Sequence, residues 1–237
     1  MHTIESILKQ STYQGRGIII GINEDYTEAF IAYFIMGRSE NSRNRIFKIN
    51  EKQELETIPF KNIEIKNKDL VIYTAISKFK EKIIVTNGTQ TETISKGLEN
   101  NKTFEESLKE TKFEEDPPIL TPRISAILNL ENENITYKFS IIKSNNKNIN
   151  SVSRFFFQYQ NPLKGLGHFI HTYKETEKDP TNSFFGEPIE LIIPKKLNQF
   201  TEKIWDSLNK ENRISLFTKS INLKTKEEKN LIINKNK

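Results

Sequence analysis

The chain has 237 residues, 36 lysines and arginines against 31 acidic residues, a formal charge of +5, three histidines and no cysteine. The missing cysteines exclude disulfides and thiolate metal sites, two of the three histidines fall in one segment, which argues against zinc, and no apolar run approaches the ~20 residues of a membrane span. The basic excess is mostly lysine scattered along the chain rather than gathered in a stripe, so neither a nucleic acid nor a membrane is an expected partner.

The start, Met1-His2-Thr3-Ile4-Glu5, lacks the basic and apolar parts of a signal peptide, which points to the cytoplasm. Residues 3–10 put Ile4, Ile7 and Leu8 on one helical face. Tyr13-Gln14-Gly15-Arg16-Gly17 reads as a turn, and 18–22 and 28–36 as buried strands joined through Glu24-Asp25. Weaker strands are predicted over 46–50, 55–60 and 62–66, a stronger one over 69–79, and a buried one over 82–86 that ends at the turn Asn87-Gly88. Helices follow over 89–100 and 103–110, the second opened by the capping-box pattern Thr103-Phe104-Glu105-Glu106. After the breaker Asp116-Pro117-Pro118 come strands over 123–130, 135–143, 152–160, 168–173 and 188–193. The helix over 195–211 spaces Leu197, Phe200, Ile204, Trp205 and Leu208 helically, and strands over 213–223 and 229–234 close the chain. The lysine-rich tail from Lys219 reads as an edge strand with a solvated face. Many antiparallel strands, few helices and no internal linker predict one α+β domain over residues 1–237.

Between the second strand and the third, Gly37-Arg38-Ser39-Glu40-Asn41-Ser42-Arg43-Asn44-Arg45 packs three arginines, two asparagines and two serines into one loop with a single acid. Guanidinium forks, amides and hydroxyls together suit a phosphate; a solvated turn with arginines paired to surface acids is the plain alternative. Asn87-Gly88-Thr89-Gln90-Thr91-Glu92 lies between a strand and a helix, where backbone N–H groups can hold an anion; an ordinary threonine-capped turn is the plain alternative. Phe113-Glu114-Glu115-Asp116 offers a carboxylate as general base, or only a solvated charge cluster. His168 and His171, three apart on a strand, point to opposite faces and do not share a metal; one of them facing a pocket would suit proton transfer. Gly165-Leu166-Gly167 lacks the third glycine of a dinucleotide fingerprint, and neither a nucleophile elbow nor a Walker loop occurs.

Taken in order, Tyr13-x-Gly-Arg16, the Gly37–Arg45 loop, Asn87-Gly88-Thr89-Gln90-Thr91 and Thr121-Pro122-Arg123-Ile124 resemble the archaeal-type inosine monophosphate (IMP) cyclohydrolases and their bacterial relatives. Gly167-His168-Phe169-Ile170-His171-Thr172-Tyr173 and Phe185-Gly186-Glu187-Pro188 resemble the bacterial branch, and the likeness spans about residues 12–190. The resemblance implies a four-layer α-β-β-α sandwich with mainly antiparallel sheets, like that of the N-terminal-nucleophile hydrolases. With no Ser, Thr or Cys at the start, that fold's hydrolase chemistry is not expected here. It implies ring closure of 5-formamidoimidazole-4-carboxamide ribonucleotide to IMP with loss of water, with no metal and no organic cofactor, a purine nucleotide as partner and a homo-oligomer left open. It places Arg45, Tyr73 and Glu114 in the catalytic site: Glu114 as base, Tyr73 as donor to the formyl oxygen, Arg45 stabilising charge or holding substrate. Arg16, Arg38, Asn41, Asn44, Asn87 and Arg123 are the implied ligands for phosphate, ribose and base. The sequence departs from the archaeal pattern in carrying Glu40-Asn41-Ser42, where the archaeal loop is shorter and has Phe-Pro, and around Asp116-Pro117-Pro118, which leaves Glu115 and Asp116 as rivals to Glu114. A non-catalytic purine-nucleotide-binding module on the same fold is the alternative function.

Overall fold

The computed structural model describes residues 1–61, 71–131, 135–174 and 182–236. In chain order the strands are β1 (Arg16–Ile22), β2 (Glu28–Met36), β3 (Arg45–Ile49), β4 (Leu55–Pro59), β5 (Tyr73–Phe79), β6 (Lys82–Thr86), β7 (Arg123–Asn129), β8 (Thr136–Asn145), β9 (Asn148–Gln160), β10 (Leu166–His171), β11 (Ile189–Ile192), β12 (Arg213–Asn222) and β13 (Glu228–Asn234). The helices are α1 (Ile4–Leu8), α2 (Glu40–Arg43), α3 (Gln90–Glu99), α4 (Phe104–Ser107) and α5 (Leu197–Ser207). One antiparallel sheet runs β11-β10-β1-β2-β12-β13, and the other runs β3-β4-β5-β6-β7-β8-β9.

The apolar runs of β1 and β2 are continuous rather than alternating because both faces of that sheet are covered. Ile18, Ile20 and Ile22 point inward with Tyr33 and Ile35, against Phe47, Ala75, Val85 and Ala126 of the other sheet. Ile19, Phe30 and Phe34 point outward into a second cluster with Ile4 and Leu8 of α1 and Phe200 and Ile204 of α5. On the far side of the other sheet, Ile94 of α3 and Phe104 of α4 pack on Ile84, Ile127 and Ile142. Each large aliphatic side chain so buried contributes roughly 1.5–3 kcal/mol. The α+β class with antiparallel sheets thus follows from which faces the apolar residues cover.

This layering sets the position of the polar residues. Arg16, Arg45, Tyr73 and Arg123 are the first residues of β1, β3, β5 and β7. In the second sheet an unbroken antiparallel meander brings the odd-numbered strand starts to one end. Side chains alternate across a strand, so Arg16 shares a face with Ile18, Arg45 with Phe47 and Tyr73 with Ala75: all three aim into the space between the sheets. Arg123 has the opposite parity from Ile124 and Ala126, and faces the side that α3 covers.

Several expectations change in detail. The strand expected over 152–160 is β9, four residues longer at its start, because Asn146 and Lys147 both take positive φ (50° and 57°) and turn the chain in two residues. The helix expected over 103–110 ends at Ser107, although its capping box forms as read. The helix expected over 195–211 is the shorter α5, and β5 begins at Tyr73. The strand over 62–66 and the start of the one over 69–79 lie outside the described residues. β13 is an edge strand, but Lys219 does not belong to a solvated face: it lies buried on β12, paired with Glu228.

Candidate active site

A cleft of about 510 Å³ opens at the end of the sandwich where β1 and β3 begin. Arg16, Arg45 and Glu114 line it, with Arg38, Ser39, Asn41 and Ser42 on one side and Tyr13, Thr121 and Tyr173 on another.

Glu114 is 2% exposed. Its backbone N–H donates to the Thr121 carbonyl at 2.9 Å, which fixes the loop that leads into β7. Its Oε1 accepts from Nη1 of Arg123 at 3.0 Å, and Oε2 lies 3.9 Å from Nη2 of Arg16. Burial lifts the carboxyl above the ordinary range; the guanidiniums of Arg16 and Arg123 pull the other way, Asp116 adds to the lift and Arg45 opposes it. A carboxyl with its pKa raised toward neutrality is matched to proton transfer. Of its sequence rivals, Glu115 is exposed. Asp116 reaches the cleft, but its two oxygens accept from the Thr121 N–H at 2.7 Å and the Thr121 hydroxyl at 2.6 Å.

Arg123 reaches Glu114 across Gly88. A Cβ at Gly88 would lie 1.6 Å from Nη1 of Arg123, so any side chain there would displace the guanidinium. Asn87 holds the backbone on both sides of Arg123: its Nδ2 donates to the Pro122 carbonyl at 2.9 Å, and its Oδ1 accepts from the Ile124 N–H at 2.9 Å and from Gln90 at 3.0 Å. The Asn87-Gly88 turn is therefore a seat for Arg123, and Asn87, fully buried, does not line the cleft. Thr89 makes no capping bond; Thr86 accepts from the Gly88 N–H instead.

Arg45 is 1% exposed. Its Nε donates to the Ser42 carbonyl at 2.8 Å and its Nη2 to the Met36 carbonyl at 3.1 Å. Among the described residues no carboxylate lies within 4.0 Å of it. Burial and the nearby Arg16 lower its pKa, while Tyr73, Tyr13 and Tyr33 act in the opposite sense. Arg16 moves the other way: burial works against its charge, but Glu114 together with Tyr173, Tyr73 and Tyr13 outweighs that and holds the guanidinium well above its ordinary value. Its Nε is buried with no hydrogen-bond partner. The cleft thus carries more buried positive charge than the carboxylates around it match, which favours an anionic ligand.

Tyr73 lines an adjoining cavity of about 430 Å³ with Thr57, Thr89 and Thr91, and its hydroxyl lies 2.7 Å from that of Tyr33. Tyr33 is completely enclosed, and burial pushes its phenol well above the ordinary value, so it keeps its proton. Either hydroxyl can be the donor of this bond; when Tyr33 donates to the Tyr73 oxygen, the Tyr73 proton is left for another acceptor.

At the outer rim, the Arg38 guanidinium lies 4.4 Å from the centre of the Tyr13 ring, and Tyr13 stacks on Tyr173 at 5.7 Å. The Tyr173 hydroxyl meets that of Thr121 at 2.7 Å. Asn44 is drawn away: its Nδ2 donates to the Lys61 carbonyl at 2.9 Å and its Oδ1 accepts from the Lys61 N–H at 2.7 Å. Neither histidine lines the cleft. His168 faces the inter-sheet core, stacked on Tyr159 at 3.6 Å and bonded to the Tyr137 hydroxyl at 2.7 Å; His171, of opposite parity, bonds the Tyr173 carbonyl. Burial pushes both rings down to about 4. Among the described residues no group of three or more His, Asp or Glu side chains is placed to hold a metal ion.

The matching family model, described as IMP cyclohydrolase-like protein, covers residues 13–227. The chain belongs to the IMP cyclohydrolase-like family. No curated protein matches it. Every residue that lines the cleft falls within the span of this IMP cyclohydrolase-like match.

Of the residues expected in the site, Arg16, Arg38, Asn41, Arg45 and Glu114 share the cleft, Arg123 joins through its ion pair, and Tyr73 stands at the adjoining cavity; Asn44 and Asn87 serve as backbone clamps. Tyr13, Tyr173 and Thr121 went unassigned although each lies in a motif that pointed to the family, and the parity of β2 could have placed Tyr33 inward.

Proposed function

We propose that this chain is an IMP cyclohydrolase, closing 5-formamidoimidazole-4-carboxamide ribonucleotide to IMP with loss of water. The observation that carries the reading is Glu114, buried beside Arg16 and Arg123 in a cleft that also holds the unmatched Arg45, in a member of this family. The fold shared with N-terminal-nucleophile hydrolases and a cytoplasmic location belong to the same reading; no helix among the described residues is long and apolar enough to cross a membrane.

Closure needs two bond changes. The carboxamide nitrogen attacks the formyl carbon, giving up one proton as the formyl oxygen takes one. The resulting hydroxyl then leaves as water with a proton from the formamido nitrogen, and the ring C=N bond forms. In this reading Glu114 takes the carboxamide proton and returns it to the departing oxygen. The Tyr73 hydroxyl, oriented by Tyr33, donates to the formyl oxygen as charge develops there. Arg45 and Arg16 stabilise negative charge on the reacting end or hold the phosphate, and the Arg38-Ser39-Asn41-Ser42 rim supplies donors for the remainder of the nucleotide. The aromatic pair Tyr13–Tyr173 offers a face for a planar base.

One observation favours a second reading, a nucleotide-binding module without turnover: the Glu114 Oε1 is already taken by Arg123 at 3.0 Å. A single pair of measurements separates the two. Purified protein in the presence of chelator should convert the formamido nucleotide faster than buffer; binding of IMP by calorimetry without any such acceleration would leave the module, and neither result would sink both.

A further inference from the structure

The segments around His171 and Phe185-Gly186-Glu187, for which the ring closure has no use, meet at another cavity of about 350 Å³. It lies across a shared wall from the cleft. Along 13–16 and 171–174 the side chains divide: Tyr13, Arg16 and Tyr173 line the cleft, while Gln14, His171 and Lys174 line this cavity. The wall is stiffened by the Tyr173 N–H and the Thr172 hydroxyl, both donating to the Gln14 carbonyl, at 3.2 Å and 3.0 Å.

The cavity is mixed in character: Gln10, Ser11, Lys174 and Glu187 line it beside the apolar side chains, Gln14 and His171. Gln14 is 1% exposed, and its Nε2 donates to the carbonyls of Leu8 at 2.8 Å and Ser11 at 3.3 Å, which fixes the orientation of the amide. Its Oε1 is left as a buried acceptor with no donor. His171 brings Nδ1 within 2.7 Å of the Tyr173 carbonyl, which can only accept, so Nδ1 carries the proton and Nε2 is a bare acceptor. Burial keeps that ring neutral at physiological pH. Among the described residues Nε2 has no hydrogen-bond donor. Aromatic rings frame the histidine, Phe169 stacked on it at 4.8 Å and Phe184 tilted at 4.5 Å, and the Lys174 ammonium lies 3.8 Å from the centre of the Phe185 ring. An open acceptor without a donor, between aromatic walls and near the Lys174 ammonium, selects a flat molecule that brings an N–H group and acceptors of its own. The volume sits at the small end of the roughly 300–1,000 Å³ typical of ligand pockets, which limits the ligand to about one heterocycle.

We propose that this cavity is a second small-molecule site, taking a planar amino-heterocycle of purine-base size with an N–H group that bonds His171 Nε2. The assignment is independent of the chemistry proposed for the cleft. Adenine is the probe, titrated into the full chain while the ¹⁵N resonance of His171 Nε2 is recorded. A saturable upfield shift is expected as the bare nitrogen takes a hydrogen bond, with a Kd of roughly 1 mM or tighter. His171→Phe keeps the aromatic stacking and removes the acceptor, so calorimetry should read about a tenfold loss of adenine affinity. Phe185→Ala, at an exposed rim position that folding does not depend on, should weaken binding by a smaller factor. Excess IMP should not displace adenine. No saturable shift, unchanged affinity in His171→Phe, or displacement by IMP would each overturn the proposal and leave a cavity that holds only water.

Discussion

Glu114 and Glu228 make an instructive pair. Each carboxylate stands between two cations: Arg123 at 3.0 Å and Arg16 at 3.9 Å for the first, Lys219 at 2.5 Å and Lys78 at 2.8 Å for the second. Burial pushes both carboxyls up. At Glu228, whose side chain is 25% exposed, the hydrogen bonds from Lys219 and Lys78 outweigh that push and leave the carboxyl below its ordinary range. At Glu114, whose side chain is 1% exposed, burial wins and the carboxyl rises. Charge count does not decide whether a carboxyl falls below or rises above its ordinary range; water and the closeness of its donors do. Glu228 ties β13 to both β12 and β5, joining the two sheets, whereas Glu114 faces a cleft.

The largest effect that would break this contrast is at Glu114 itself. Glu114→Gln keeps shape and an acceptor for Arg123 but removes the proposed base, so turnover of the formamido nucleotide should fall by roughly 10²–10⁴-fold. IMP affinity should change little, since the product has no such proton to give. In the wild type kcat/KM should rise with pH through a pKa above the usual carboxylate range, and that limb should vanish from whatever activity the variant keeps. An unchanged rate would reduce Glu114 to a brace like Glu228.

Arg45→Met comes next, because it removes the buried guanidinium that no described carboxylate matches. A charge-assisted contact of about 1.5–3 kcal/mol corresponds to a loss of roughly ten- to a hundredfold in kcat/KM. A rise in KM with weaker IMP binding would place phosphate there; a fall in kcat with IMP affinity intact would place the developing charge of the formyl oxygen there. Wild-type kinetics would take Arg45 out of the site.

Much of the frame around these residues was readable from the chain. The buried strands β1 and β2 are continuous apolar runs, and helical spacing marked α5. Arg16, Arg45 and Glu114 came from ordered motifs, since nothing local separates an arginine that starts a strand in a cleft from one that starts a strand at the surface. That Asn44 and Asn87 clamp backbone was not legible for a related reason. An amide in a polar turn looks the same whether it grips a phosphate or two backbone segments, and its partners at Lys61 and Pro122 lie 17 and 35 residues away. Lys219 was read as solvated because its partner on the next strand is set by register. The Tyr33–Tyr73 pair crosses from one sheet to the other over 40 residues, which no local pattern encodes.

That pair supplies a smaller test. Tyr33→Phe leaves the core packing but removes the hydroxyl that orients Tyr73. Losing one hydrogen bond of about 0.5–1.5 kcal/mol should lower kcat by up to roughly tenfold. KM should stay near its wild-type value, which a general loosening of the cleft would not preserve. Tyr73→Phe should cost more, and the double variant no more than Tyr73→Phe alone, if Tyr33 acts through Tyr73.

The smallest effect returns to the two carboxylates and concerns stability alone. The folded-state pKa of Glu228 is depressed, so its contribution is present above the unfolded value near 4.5 and is lost as pH falls through the folded one. Glu114 has the opposite sign: its folded pKa is raised, so its contribution is fully present below the unfolded value and is lost as pH rises through the folded one. Denaturant titrations from neutral pH downward should therefore separate the variants in direction. The stability gap between wild type and Glu228→Gln, opened by leaving the buried Lys219 without its carboxylate, should close as the solution is acidified. The gap between wild type and Glu114→Gln should move in favour of the wild type over the same range. Parallel pH dependences would mean that both carboxylates feel their cations more than their burial, and the distinction drawn between the two carboxyls would fail.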